Sequence, residues 1–174
     1  DGSNRFCVDY RHLNELTVKD TFPLPRIDSC LDALSGSLYF STFDLRSGYH
    51  QVELQDSDKD KTAFITRKGL YRFCKMPFGL CNAGATFQRL MNLAMTGLQY
   101  QICLIYLDDI IIFSKDTDSH FSRIEEVFTR LRTYNLKLKP SKCNFFQNSV
   151  AFLGHVVSCK GIETDESKIR AVQD

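Results

Sequence analysis

Ile102-Cys103-Leu104-Ile105-Tyr106-Leu107-Asp108-Asp109-Ile110-Ile111-Ile112-Phe113-Ser114 joins two apolar runs at an adjacent pair of carboxylates. The runs Ile102 to Leu107 and Ile110 to Phe113 are rich in β-branched and aromatic residues, the composition of buried strands. Asp is poor in strands and good in tight turns, so the pair is expected where a hairpin reverses. Two like charges beside a core repel, and their burial is costly unless something neutralises them. Two readings follow. The turn is solvated and carries two Asp by accident, or a hard divalent cation, Mg²⁺ or Mn²⁺, is held there by carboxylate oxygens.

Outward from this hairpin the chain alternates short strands and helices. Residues 5 to 10 read as a strand, and Phe22-Pro23-Leu24-Pro25 as an extended segment. Asp28 to Leu34 reads as a short helix ended by Ser35-Gly36, and Leu38 to Leu45 as a strand. Thr62 to Thr66 and Leu70 to Lys75 form a hairpin around Arg67-Lys68-Gly69. Helical spacing places a helix over Ala83 to Leu98, and a second, longer one runs from an N-cap at Ser119 to Tyr134. Leu136 to Phe146 is basic and aromatic, and Val150 to Val157 is a further strand. Hairpin connections favour an α+β fold with an antiparallel sheet packed on helices.

Composition narrows the class. The 174 residues are 43% hydrophobic and 25% charged, as in an ordinary globular domain. No run reaches the roughly 18 apolar residues of a membrane span, so a membrane is not an expected partner. Seven scattered cysteines lack the paired spacing of a zinc site or disulfide framework and read as reduced thiols of a cytoplasmic protein. A net charge of +1 leaves only local basic clusters, Arg67, Lys68, Arg72 and Lys75 and then Lys137, Lys139 and Lys142, as nucleic-acid signals. Both termini read as cuts within a longer chain.

Asp44 is the third informative carboxylate. It ends the apolar run Leu38 to Phe43 and precedes Leu45-Arg46-Ser47-Gly48-Tyr49. It is either a helix N-cap or, with its strand beside the Asp108-Asp109 hairpin, a ligand of a metal pair. Two cations about 3.5–4 Å apart serve phosphoryl transfer by acting on both the attacking and the leaving oxygen.

The blocks along the chain carry a family pattern. They are Val8-Asp9-Tyr10-Arg11-His12-Leu13-Asn14, Thr21 to Ile27, Phe43-Asp44-Leu45-Arg46-Ser47-Gly48-Tyr49-His50-Gln51 and Lys61-Thr62-Ala63-Phe64. Met76-Pro77-Phe78-Gly79-Leu80-Cys81-Asn82-Ala83, Thr86-Phe87-Gln88, Tyr106-Leu107-Asp108-Asp109 and Leu153-Gly154-His155 follow in order. The chain resembles, over essentially its whole length, the reverse transcriptase domain of gypsy-like long-terminal-repeat retrotransposons.

That resemblance implies a right-hand polymerase, residues 1–174 forming one palm fragment with partial fingers and no thumb, connection or RNase H. It implies an RNA-directed DNA polymerase that adds deoxynucleotides to a primer 3′-hydroxyl with two Mg²⁺ or Mn²⁺ ions. Asp44, Asp108 and Asp109, with the Leu45 carbonyl, match the metal-binding positions. Arg5 matches a triphosphate-gripping arginine, suited by its forked donors; its plain alternative is a solvated surface arginine. Leu45, Arg46, Ser47, Gly48, Tyr49 and Phe78 match the nucleotide site. Tyr49 lies beneath the sugar, where a ring would exclude a 2′-hydroxyl, or else is a core aromatic. Lys142 falls near a lysine that protonates pyrophosphate, or is simply solvated. Gly79, Tyr106, Leu107, Gly154 and His155 match template and primer contacts. The implied partners are an RNA or DNA template with primer, deoxynucleoside triphosphates and the rest of a Pol polyprotein, in cytoplasmic virus-like particles. A decayed, non-catalytic subunit and an RNA-templated RNA polymerase are the rivals; the intact Asp44, Asp108, Asp109 and Tyr49 disfavour the first, and the Tyr106-Leu107-Asp108-Asp109 context with Tyr49 disfavours the second. Gly84 departs from the pattern, standing where the family has proline.

Overall fold

The structure, a computed structural model, describes residues 6–164. Arg5 and the C-terminal Ala171 to Asp174 lie outside the described residues. The first half forms α1 (Arg11–Leu16), α2 (Ile27–Leu34), β1 (Tyr39–Asp44), α3 (Asp56–Lys59), β2 (Phe64–Thr66), β3 (Gly69–Tyr71) and α4 (Ala83–Ala94). The second half forms β4 (Cys103–Tyr106), β5 (Asp109–Ser114), α5 (Thr117–Thr133), β6 (Asn144–Gln147), β7 (Ser149–Phe152), β8 (His155–Ser158) and β9 (Gly161–Thr164). Single 3-10 turns occupy Gly48–Gln51, Asp60–Thr62 and Pro140–Lys142. The chain divides into two compact units, one of residues 1–23 and 47–90, the other of residues 24–46 and 91–174.

The second unit is built on a four-stranded antiparallel sheet in the order β4-β5-β1-β6. Both faces are covered, which is why β5 reads as an unbroken apolar run rather than an alternating one. On one face Phe40, Leu104, Ile111 and Phe113 meet Cys30, Leu31 and Leu34 of α2 and Val150, Phe152 and Val157 of a second sheet, β7-β8-β9. On the other, Phe43 packs on Phe128 of α5, with ring centroids 5.3 Å apart. Ser41 on that face reaches His120, also of α5. His120 is fully buried between Ser41 Oγ and Ser114 Oγ, each 2.8 Å from a ring nitrogen. Burial pushes its pKa down, favouring the neutral imidazole.

The first unit is the smaller of the two. Tyr10 donates its hydroxyl to the Thr62 carbonyl at 3.0 Å, and Phe64 stacks against Tyr71 in the β2-β3 hairpin. Asn14 on α1 holds the loop after Phe78 from both sides, donating to the Gly79 carbonyl and accepting from the Cys81 amide, each at 2.8 Å.

Several sequence expectations need correction. Residues 6–10 are not a strand; they lead into α1, which buries no residue and so shows no apolar periodicity. The β2-β3 hairpin ends at Tyr71 rather than Lys75, which instead forms an isolated bridge with Glu53. α4 stops at Ala94 because Gly97, at φ +82°, and the back-bonding Thr96 hydroxyl end it, although Met95 and Leu98 remain buried. The cap of α5 is Asp116, whose carboxylate accepts from the Ser119 amide at 2.8 Å. Residues 150–157 fold as two strands around Leu153-Gly154, both at positive φ, which is primed-turn geometry. β6 was not expected, because an edge strand of mixed polarity gives little periodic signal. Among the described residues no helix is long and apolar enough to cross a membrane.

Gly84 is the second residue of α4, in the first turn, where amide hydrogens have no intrahelical acceptor. Gly84→Pro is therefore expected to raise the thermal midpoint, by roughly 0.4–1 kcal/mol of stability gained from a stiffer unfolded chain. A calorimetric midpoint that is unchanged or lower contradicts this.

Candidate active site

The strand register assembles the carboxylates. β1 and β5 pair antiparallel from Tyr39 opposite Ser114 to Asp44 opposite Asp109, so both aspartates stand at the same end of the sheet. Tyr106 pairs with Asp109, which leaves Leu107 and Asp108 as the two-residue reversal between β4 and β5. Leu107 takes φ +54° there. A bulky side chain in that region costs about 1–3 kcal/mol and is uncommon. Asp109 is thus the first residue of a strand, and of the two aspartates only Asp108 lies in the turn.

The segment after β1 is clamped in place. Arg46 N donates to Lys137 O and Lys139 N to Asp44 O, each at 2.9 Å, around an antiparallel bridge of Leu45 with Leu138. In such a pair the flanking residues make the bonds, so the Leu45 carbonyl is not used by that bridge. Lys142, on the 3-10 turn that follows, places its Nζ 2.9 Å from Asp44 Oδ2. An open pocket of about 320 Å³ is lined by Asp44, Asp109, Lys142, Asn144 and the β7-to-turn residues Phe152 and Leu153. Of the turn expected to grip the primer, Leu153-Gly154-His155, Leu153 lines this pocket, and His155 Nδ1 lies 3.1 Å from Leu153 O.

Charge at this end of the sheet is not balanced. Burial raises the Asp109 pKa, the carboxylates of Asp108 and Asp44 raise it further, and Lys142 opposes them. A hard cation suits such a donor set of carboxylate and carbonyl oxygens. Among the described residues no three acidic, histidine or cysteine side chains already stand close enough to enclose an ion. The donors fit a divalent cation in kind, and Lys142 takes one Asp44 oxygen.

The remaining expected nucleotide residues belong to the first unit. Ser47 adopts φ +49° and opens the turn Gly48–Gln51. Gly48 lies against the fully buried Phe87 ring; a Cβ there would come within 2.8 Å of Phe87 Cζ, so only glycine fits. Tyr49 packs on Phe78 and Phe87, with centroids 5.4 and 5.5 Å away. Gly79 follows Phe78 at φ +94° and is held by Asn14. Two members of the basic cluster are committed to carboxylates, Arg72 to Asp60 and Lys75 to Glu53.

Residues 1–157 match the family described as reverse transcriptase (RNA-dependent DNA polymerase). The chain belongs to the reverse transcriptase family. It is 46% identical over 173 residues to the retrovirus-related Pol polyprotein from transposon 297 of Drosophila melanogaster, covering 98% of the chain and 16% of that protein. It is 40% identical over 172 residues to the corresponding polyprotein from transposon gypsy of the same organism, covering 99% of the chain and 17% of that protein. The chain thus spans about a sixth of the length of these relatives. Its fold matches a foamy viral protease-reverse transcriptase solved with double-stranded DNA, at TM-score 0.91 and 22% identity, over 100% of this chain and 30% of that one. The foamy viral enzyme solved with an RNA/DNA hybrid gives TM-score 0.85 at 22% identity over 95% and 22% of the two chains. The likeness establishes the α+β polymerase fold.

Reading the sequence did not single out Asn14 or Phe87 as supports of the Gly79 and Gly48 turns. Asn14 lies in an exposed helix without periodicity, and Phe87 reads as ordinary core; only the three-dimensional contacts reveal the roles. Asp109 carries a prediction. Its raised pKa means the folded state favours the protonated carboxyl, so a penalty appears as pH rises past the ordinary carboxylate value and is complete above the folded one. In chelator at neutral pH, Asp109→Asn is expected to raise the melting midpoint by about 1–3 °C. The gain should shrink at acid pH, and a variant that melts lower at neutral pH contradicts the charge account.

Proposed function

We propose that this chain carries the polymerase centre of an RNA-directed DNA polymerase, the second unit serving as palm and the first as part of the fingers. The observation that carries the reading is the register that sets Asp44 opposite Asp109 beside the Asp108 turn. Asp44, Asp108 and Asp109, with the Leu45 carbonyl, would hold Mg²⁺, with Mn²⁺ able to replace it, as a pair of ions. When bound, such cations activate a primer 3′-hydroxyl and offset charge on the departing pyrophosphate.

The rest falls to the chain's own side chains. Tyr49, wedged against Phe78 and Phe87, presents a fixed ring beneath the incoming sugar and so selects deoxynucleotides. Phe78 and Gly79 form the surface on which the nucleotide and template base rest, with glycine permitting close approach of the backbone. Arg46, Ser47 and Gly48 supply the backbone that follows the triphosphate, and Arg5 adds a forked donor to it. Tyr106 and Leu107 face the primer terminus from the hairpin, while Gly154 and His155 position the primer from the β7-β8 turn. The substrates are an RNA or DNA template with its primer and deoxynucleoside triphosphates. The setting is a Pol polyprotein within the particles of a retrotransposon.

Primer extension on an RNA template tests this, with the segment assayed in a full-length Pol polyprotein. Asp108→Asn or Asp44→Asn should lower extension about a thousandfold or more, the loss of several kcal/mol of barrier lowering. Tyr49→Ala should keep extension and raise ribonucleotide use by roughly a hundredfold, the discrimination expected of one hydroxyl. Extension that survives Asp108→Asn refutes the mechanism.

A further inference from the structure

Lys142 occupies an unusual place for a half-exposed lysine. Its ammonium lies 2.9 Å from Asp44 Oδ2 and shares a pocket with Asp44 and Asp109. The contact is built rather than incidental. Asp44 receives the same loop twice, its backbone carbonyl accepting from Lys139 N at 2.9 Å and its carboxylate from Lys142 Nζ at 2.9 Å. Between them, Pro140 fixes the backbone at the start of a 3-10 turn closed by Lys142 N to Lys139 O at 2.9 Å. The Leu45–Leu138 bridge anchors the loop's beginning to the residue after Asp44. A flexible side chain is thus delivered to one carboxylate oxygen by a rigid backbone.

Resting on the metal reading above, we infer that Lys142 is an exchangeable counterion of the divalent-cation site. Its ammonium stands in for the cation at Asp44 and must leave when the cation arrives. The ammonium is a compact point charge on a mobile stem, suited to exchange in a way a forked guanidinium is not. A surface pair of this kind is weak, so a divalent ion can displace it readily. The lysine keeps crowded carboxylates compatible with a folded, metal-free sheet, and it sets the cation concentration at which the site fills. This makes Lys142 a positioning residue that acts through Asp44. Departure of its ammonium also releases a positive charge into the pocket at the moment the site becomes competent.

Competition gives a readout independent of polymerisation. Binding of Mn²⁺ alone to the chain, followed by the paramagnetic resonance of free Mn²⁺, should be about fivefold tighter in Lys142→Met and Lys142→Gln than in the wild type, the scale of losing one surface ion pair. Lys142→Arg should bind no tighter than wild type, and Asp44→Asn should remove the gain from the double variant. In the wild type, saturating Mn²⁺ should speed acetylation of Lys142 by an amine-reactive ester while leaving Lys160 unchanged. Unaltered or weaker Mn²⁺ affinity in both Lys142→Met and Lys142→Gln, or Lys142 labelling indifferent to Mn²⁺, overturns the inference while leaving the metal site standing. Failure of wild type and every variant to bind Mn²⁺ overturns the metal reading and the inference with it.

Discussion

Three carboxylates crowded at one end of a sheet are the constraint on which the rest of this structure depends. Asp44 and Asp109 face each other across the β1-β5 pairing, and Asp108 sits in the adjacent reversal. Like charges at that spacing repel, and partial burial makes the repulsion harder to screen. Elements packed around this end either support the arrangement or temper it. The sheet beneath is covered on both faces by α2, α5 and the β7-β8 hairpin, so core packing of the strands holds the aspartates together against that repulsion. Lys142 supplies one positive charge where it counts.

The strained reversal follows from the same constraint. Two-residue hairpins favour glycine or asparagine at positive φ, yet Leu107 holds φ +54°. A residue chosen for turn propensity would relieve the strain. Leu153 repeats the pattern at φ +50° in the β7-β8 turn and lines the pocket that holds Asp44 and Asp109. Bulky residues thus take the left-handed region in both of these hairpin turns, as Tyr100 and Phe146 do elsewhere in the chain.

Much of this was legible in the sequence, and the reasons differ by residue. The hairpin around Asp108-Asp109 was readable because its flanks are buried on both faces and so unbroken in hydrophobicity. The residues around Asp44 left it as a helix cap or a metal ligand, and the family resemblance matched it to a metal-binding position; the strand register sets it opposite Asp109. The family resemblance supplied expected roles for Tyr49, Phe78 and Gly79 that periodicity alone does not distinguish from core packing. What stayed hidden was local and three-dimensional. α1 buries nothing, β6 is an edge strand, and the split of residues 150–157 turns on two positive φ angles. The ion pair of Lys142 with Asp44 joins residues 98 apart in sequence, a separation at which no spacing rule operates.

The central claim is that Asp44, Asp108 and Asp109 form a divalent-cation site for nucleotidyl transfer. Anomalous diffraction from crystals of the chain soaked in Mn²⁺ tests it most directly. The account predicts anomalous density at the β1-β5 end of the sheet, within bonding distance of carboxylate oxygens from Asp44 and the Asp108-Asp109 pair. Occupied Mn²⁺ peaks elsewhere on the molecule, with none at these carboxylates, would contradict it.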